Sequence, residues 1–140
     1  LENFENKAPI TIENYTIEHI MPQNKNLSLE WQTNLGPEWQ EVQKKYLHTI
    51  GNLTLTAYNS EMSDRPFLDK MDMLGGFKES ALRINKYVVL QNEWNETHIQ
   101  ERANELAKKA EVIWPYPALT ATELAPYQAE EKTVQGEEGI

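Results

Sequence analysis

The sequence predicts a mostly helical α+β fold in which one small β-hairpin sits in a helical shell. Two stretches carry the strand part. Residues 15–20 place Glu18-His19 between Ile17 and Ile20 and are closed by Pro22, and residues 52–56 alternate polar and apolar side chains. The helical part rests on apolar residues at helical spacing, above all the stripe Ile99, Ala103, Leu106, Ala107, Ala110, Ile113 and Trp114.

Taken in order, residues 1–14 mix polar and apolar side chains without a sustained period and are interrupted by Pro9, which reads as a lead-in or linker. Pro22 ends the first strand because proline cannot donate to a ladder. Ser28 is placed to cap a short helical piece ending near Gly36. Pro37 then opens a clearer helix, in which Trp39, Val42, Tyr46, Leu47 and Ile50 recur on one face; Gly51 closes it and turns the chain into the second strand.

Residues 58–74 predict an interrupted helix: one turn from Asn59, a break, and a second piece over 66–74. The break falls at Pro66, which lacks an N–H and disfavours a helical Arg65. Gly75-Gly76 ends that piece, and Phe77, Ala81, Ile84 and Val88 predict an amphipathic helix reaching Leu90. Thr97-His98-Ile99-Gln100 has the form of a capping box for the last helix, which Pro115 stops. From Ala121 the composition shifts to Ala, Glu, Gln, Thr and Gly, as in a loosely packed tail. The predicted organisation is a domain over 15–117 and an acidic, flexible tail over 118–140, with no internal repeat.

Composition narrows the function classes. At 140 residues the chain holds one domain and room for one active site. The absence of cysteine removes disulfides, thiolate catalysis and Cys-ligated zinc, and fits a reducing, cytoplasmic compartment. No apolar run approaches the roughly 18–20 residues of a membrane span, and the N-terminus has no signal-peptide pattern. A start at Leu1 reads as a piece of a longer protein. The net charge of −9 argues against a nucleic-acid partner until it is mapped. The last 20 residues carry five Glu and one Lys, whereas Lys44 to Lys86 holds seven basic residues against five acidic ones.

Glu18-His19 is the pair with chemical potential. A carboxylate can hold a hard divalent cation while a neutral imidazole takes a proton from water, although adjacent strand residues point to opposite faces. Asn52 and Asn59 read equally as a turn residue and a helix N-cap, or as amide oxygens near a cation. His48, late in its helix, either caps the last carbonyls or touches a phosphate, and His98, in a first helical turn, reads as an exposed residue. No Walker-type phosphate loop is present.

Ile17-Glu18-His19-Ile20-Met21-Pro22-Gln23, then Asn52-Leu53-Thr54-Leu55-Thr56, then Asn59 with Ser63-Asp64, resembles the pattern of HNH nucleases of the ββα-metal, or His-Me finger, fold. With Pro66-Phe67 and Lys70, and Trp94, Ile99, Arg102 and Leu106 near the end, the chain from Tyr15 to Trp114 resembles the C-terminal nuclease domain of GmrSD-type restriction systems. The resemblance implies a DNA endonuclease needing one Mg²⁺ or Mn²⁺. His19 would be the general base, Asn59 and the acidic position Glu18 the metal ligands, and Asn52, grouped with His19 in the catalytic set, a brace for the hairpin. Arg65, Lys70 and His48 are candidates for phosphate contact, or ordinary surface charge. It also implies DNA as partner, phage DNA with modified bases included, and an N-terminal nucleotide-using domain elsewhere in the protein. The alternatives are a nucleic-acid-sensing or protein-docking module that keeps the fold without efficient catalysis, and a helical interaction domain in which these residues are structural.

Overall fold

A computed structural model describes residues 1–4, 8–11 and 13–127. Strand β1 (Thr16–His19) and strand β2 (Leu53–Thr56) form a two-stranded antiparallel sheet, with Thr16 opposite Thr56 and His19 opposite Leu53. Between them the chain makes helix α1 (Leu29–Leu35) and helix α2 (Trp39–Tyr46); after them come α3 (Asn59–Met62), α4 (Phe67–Asp72), three 3₁₀ turns, the long α5 (Glu96–Ile113) and the short α6 (Ala121–Leu124). The α+β class and the sheet set among helices agree with the sequence. No helix among the described residues is long and apolar enough to cross a membrane.

Local signals explain several boundaries. The Ser28 hydroxyl accepts from Trp31 N–H and opens α1, and Gly36, at φ 86°, closes it in a conformation that disfavours side chains with a Cβ. The break between α3 and α4 falls where expected, α3 ending at Met62 and Pro66 standing as the N-cap of α4. Gly51 is fixed by space: a Cβ there would lie 2.1 Å from the Ile99 carbonyl oxygen, so its absence lets α5 close onto the turn before β2.

Three expectations are corrected. Residues 77–90 do not form one amphipathic helix but 3₁₀ turns at Phe77–Glu79, Arg83–Asn85 and Val88–Leu90. Tertiary hydrogen bonds hold this stretch: the Glu2 carboxylate accepts from Arg83 and Ile84 N–H, and buried Asn85 donates to Leu55 O and Ser80 Oγ and bonds the Thr54 hydroxyl. The cap of α5 is Asn95, whose side chain accepts from His98 N–H, and Thr97 lies inside the first turn. His98 is half-buried rather than exposed, stacked on Trp94 with ring centroids 6.2 Å apart.

The core gathers Ile20, Met21, Trp31, Val42, Met62, Phe67, Met71, Phe77, Trp94 and Ile99. Phe67 stacks on Trp94 at 5.5 Å and meets the edge of Trp31, so α1, α4 and the segment before α5 close on one aromatic centre. The sheet buries an unexpected face. Thr54 and Thr56 are buried and Leu53 and Leu55 only half-buried, while on β1 Ile17 is 60% exposed and Glu18 buried. Buried Arg102 ties α5 to the sheet, donating to the carbonyls of Gly51, Leu53 and Ile84. Glu2 is buried, and α6 has no buried residue. The tail beyond residue 127 lies outside the described residues.

Candidate functional site

The site is built where β1 ends. Ideal strand geometry sends Glu18 and His19 to opposite faces. His19 is the last strand residue, and past it Ile20 N–H bonds Asn52 O as the chain bends away. With no further strand to separate the faces, Glu18 and His19 line one open hollow of about 330 Å³, together with Asn24, Asn59, Ser63 and Asp64.

Glu18 is 2% exposed. Its Oε1 lies 2.5 Å from the Lys70 ammonium, which is wholly buried and also donates to the carbonyls of His19 and Ile20. Burial raises the Glu18 pKa and lowers that of Lys70, and each partner's charge opposes the shift of the other. This geometry overturns the expectation that Lys70 contacts a DNA phosphate, because a buried ammonium with three partners presents nothing to solvent. Its charge instead anchors the Glu18 carboxylate and the two backbone carbonyls of His19 and Ile20.

His19 is half-buried, and its Nε2 lies 3.0 Å from His48 Nδ1, the rings meeting edge to face with centroids 5.0 Å apart. Burial lowers its pKa first, followed by His48 and then Lys70, so the neutral ring is favoured. His48 is exposed but stands against His19.

Asn52 is wholly buried, and its amide is fully engaged with the fold. Oδ1 accepts from Met21 N–H at 2.8 Å and Trp94 Nε1–H at 3.2 Å; Nδ2 donates to Met21 O and Leu47 O. Its place in the catalytic set is therefore corrected to a positioning role, since no atom of the amide is left to meet a substrate. Asn59, at the start of α3, donates from Nδ2 to Ile17 O at 3.0 Å. That bond assigns the amide: the nitrogen holds the strand, and Oδ1 is the remaining acceptor. Arg65 is exposed, with Nε donating to Glu61 O, and is not among the residues that line the hollow.

Asn24, Ser63 and Asp64 complete the wall and were not singled out from sequence as site residues, although Ser63-Asp64 lies within the motif. Asn24 Nδ2 donates to Asp64 Oδ2 at 3.1 Å, joining the loop after β1 to the turn after α3. Ser63, at φ 41°, is the only non-glycine described residue with positive φ, a conformation costing roughly 1–3 kcal/mol.

The residues lining the hollow include Glu18, Asn59, Ser63 and Asp64, whose side-chain oxygens are the chemistry a hard cation prefers, beside the imidazole of His19. Among the described residues no three or more His, Asp or Glu side chains form a metal-holding cluster. A cation held by one or two of these carboxylates would keep most of its water, as Mg²⁺ does.

No curated protein and no solved structure matches the chain. Residues 1–109 match the family model of the C-terminal domain of GmrSD restriction endonucleases, and the chain belongs to that family.

Proposed function

We propose that this domain is a metal-dependent DNA endonuclease of the HNH type, with His19 as general base and Glu18 and Asn59 as ligands of one Mg²⁺ or Mn²⁺. The observation that supports this most is the convergence of Glu18, His19 and Asn59, from β1 and the start of α3, on one hollow. A neutral His19 takes a proton from water as that oxygen bonds to phosphorus in line with the departing oxygen. The bond from phosphorus to the departing oxygen breaks, and that oxygen leaves as an alcohol after protonation from solvent. When bound, the cation supplies positive charge against the phosphate oxygens. Glu18 and Asn59 would hold it, Lys70 anchors Glu18, and Arg65 would meet a flanking phosphate.

Membership of a restriction endonuclease family supports DNA as the substrate; within this proposal the target is phage DNA carrying modified bases, and the partner is a nucleotide-using domain of the same protein. One observation favours a second reading, a DNA-sensing module that cuts weakly: Glu18 already engages Lys70 through one oxygen.

The test is plasmid nicking by the full protein with Mg²⁺ or Mn²⁺, beside His19→Ala and Asn59→Ala proteins of unchanged circular dichroism. Removing the base should slow nicking about 10²- to 10⁴-fold. If both variants nick at the parent rate, this mechanism is wrong; DNA binding without metal-dependent nicking selects the second reading.

A further inference from the structure

From the contact between the two histidines we infer that His48 is a positioning residue that fixes the tautomer of His19 and leaves Nδ1 as the basic atom facing the hollow. The inference rests on His19 acting as the base, and it names which nitrogen does so.

The contact itself restricts protonation. Nε2 of His19 and Nδ1 of His48 stand 3.0 Å apart, so one must carry the hydrogen and the other the lone pair. Two doubly protonated rings would point two N–H groups at each other. His19 Nδ1 has no protein partner among the described residues, and it is not among the buried polar atoms left without one. That nitrogen is therefore open to water, on a residue that lines the hollow. If Nε2 carries the hydrogen and donates to His48, Nδ1 presents a lone pair to that water. The opposite arrangement presents an N–H, which cannot take a proton.

Buried contacts fix the backbone on which both rings are carried. Asn52 Oδ1 and Nδ2 grip the backbone of Met21, two residues past His19, and the same Nδ2 grips Leu47 O, one residue before His48. One buried amide thus sets the spacing between the strand end and the turn. Thr49 N–H and Oγ1–H both close on Tyr46 O, fixing the turn that carries His48 from its other side. A ring nitrogen's partner sets which nitrogen of the imidazole is protonated, and in the inferred arrangement His48 is that partner as acceptor, with its own hydrogen on Nε2 and a lone pair on Nδ1.

His48→Leu removes the acceptor, whereas His48→Asn can place an amide oxygen near the former Nδ1. In metal-free protein, long-range ¹H–¹⁵N correlation spectra should show His19 with hydrogen on Nε2 and a bare Nδ1. His48→Leu should give mixed tautomers, and His48→Asn should restore the parent pattern. Nicking by the full protein should fall roughly 10- to 100-fold in His48→Leu and recover most of that in His48→Asn. An unchanged His19 tautomer in His48→Leu, or hydrogen on Nδ1 in the parent, overturns the inference. Should His19→Ala nick normally, the general-base reading fails, and the spectra still decide whether His48 sets the tautomer.

Discussion

Lys70→Met replaces a buried ammonium with a side chain of similar length that cannot donate. The loss has two parts: Glu18 keeps a carboxylate in a nearly waterless place without its counter-charge, and the carbonyls of His19 and Ile20 lose a shared donor. Breaking a buried pair from one side costs about 3–5 kcal/mol, a large share of the roughly 5–15 kcal/mol that holds a domain folded. For a chain of this size the melting temperature should drop by roughly 10–25 °C. The companion variant Glu18→Met with Lys70→Met removes both charges and should regain at least about 1 kcal/mol of the loss, because no uncompensated charge is left. Urea unfolding of the parent, both single variants and the double variant completes the cycle. If Lys70→Met costs under about 1 kcal/mol, or if the two changes simply add, the ammonium is not anchoring Glu18 and its assignment as a buried partner fails.

Asn52→Ala strands the polar groups of Met21, Leu47 and Trp94 and should cost about 2–4 kcal/mol in urea unfolding; a change below about 0.5 kcal/mol would contradict the brace. Because the folded pKa of His19 is lowered, the unfolded chain binds more protons between that value and the ordinary 6.5. Stability should therefore fall as pH drops through this window, and His19→Gln in EDTA should flatten that slope. An identical slope in both proteins would show that His19 does not titrate as described. Arg65→Ala should weaken DNA binding across sequences and reduce the salt slope by about 1, read by fluorescence anisotropy at several salt concentrations; an unchanged slope removes Arg65 from the phosphate contacts.

Much of the architecture was written locally. Ser28, Gly36 and Pro66 act through their own backbone geometry, so the boundaries they set could be read without knowing what packs against them. The two strand segments and the start at Asn59 were likewise legible, because the alternation and the order of motif residues lie along the chain. The helix expected over 77–90 failed for the opposite reason. Its periodicity was real, but Glu2 takes two of its N–H groups and Asn85 turns inward to the sheet, contacts between residues far apart in sequence.

The sequence by itself determined a mostly helical α+β domain, the order of the site residues, and the residue types able to hold a cation and move a proton. Only the tertiary structure decided how those residues are used. Lys70 and Arg65 are both basic residues close to the motif, yet one is sealed against Glu18 and the other faces water. Asn52 and Asn59 carry the same amide, but one is engaged on every side, while the other, lining the hollow, bonds the fold through its nitrogen alone among the described residues. His48 stands beside His19 because a turn and a buried amide bring them together across the sheet end. Charge and hydrogen-bonding capacity belong to a residue type and can be read along the chain; burial and partnership arise from packing between distant segments and appear only when the chain is folded.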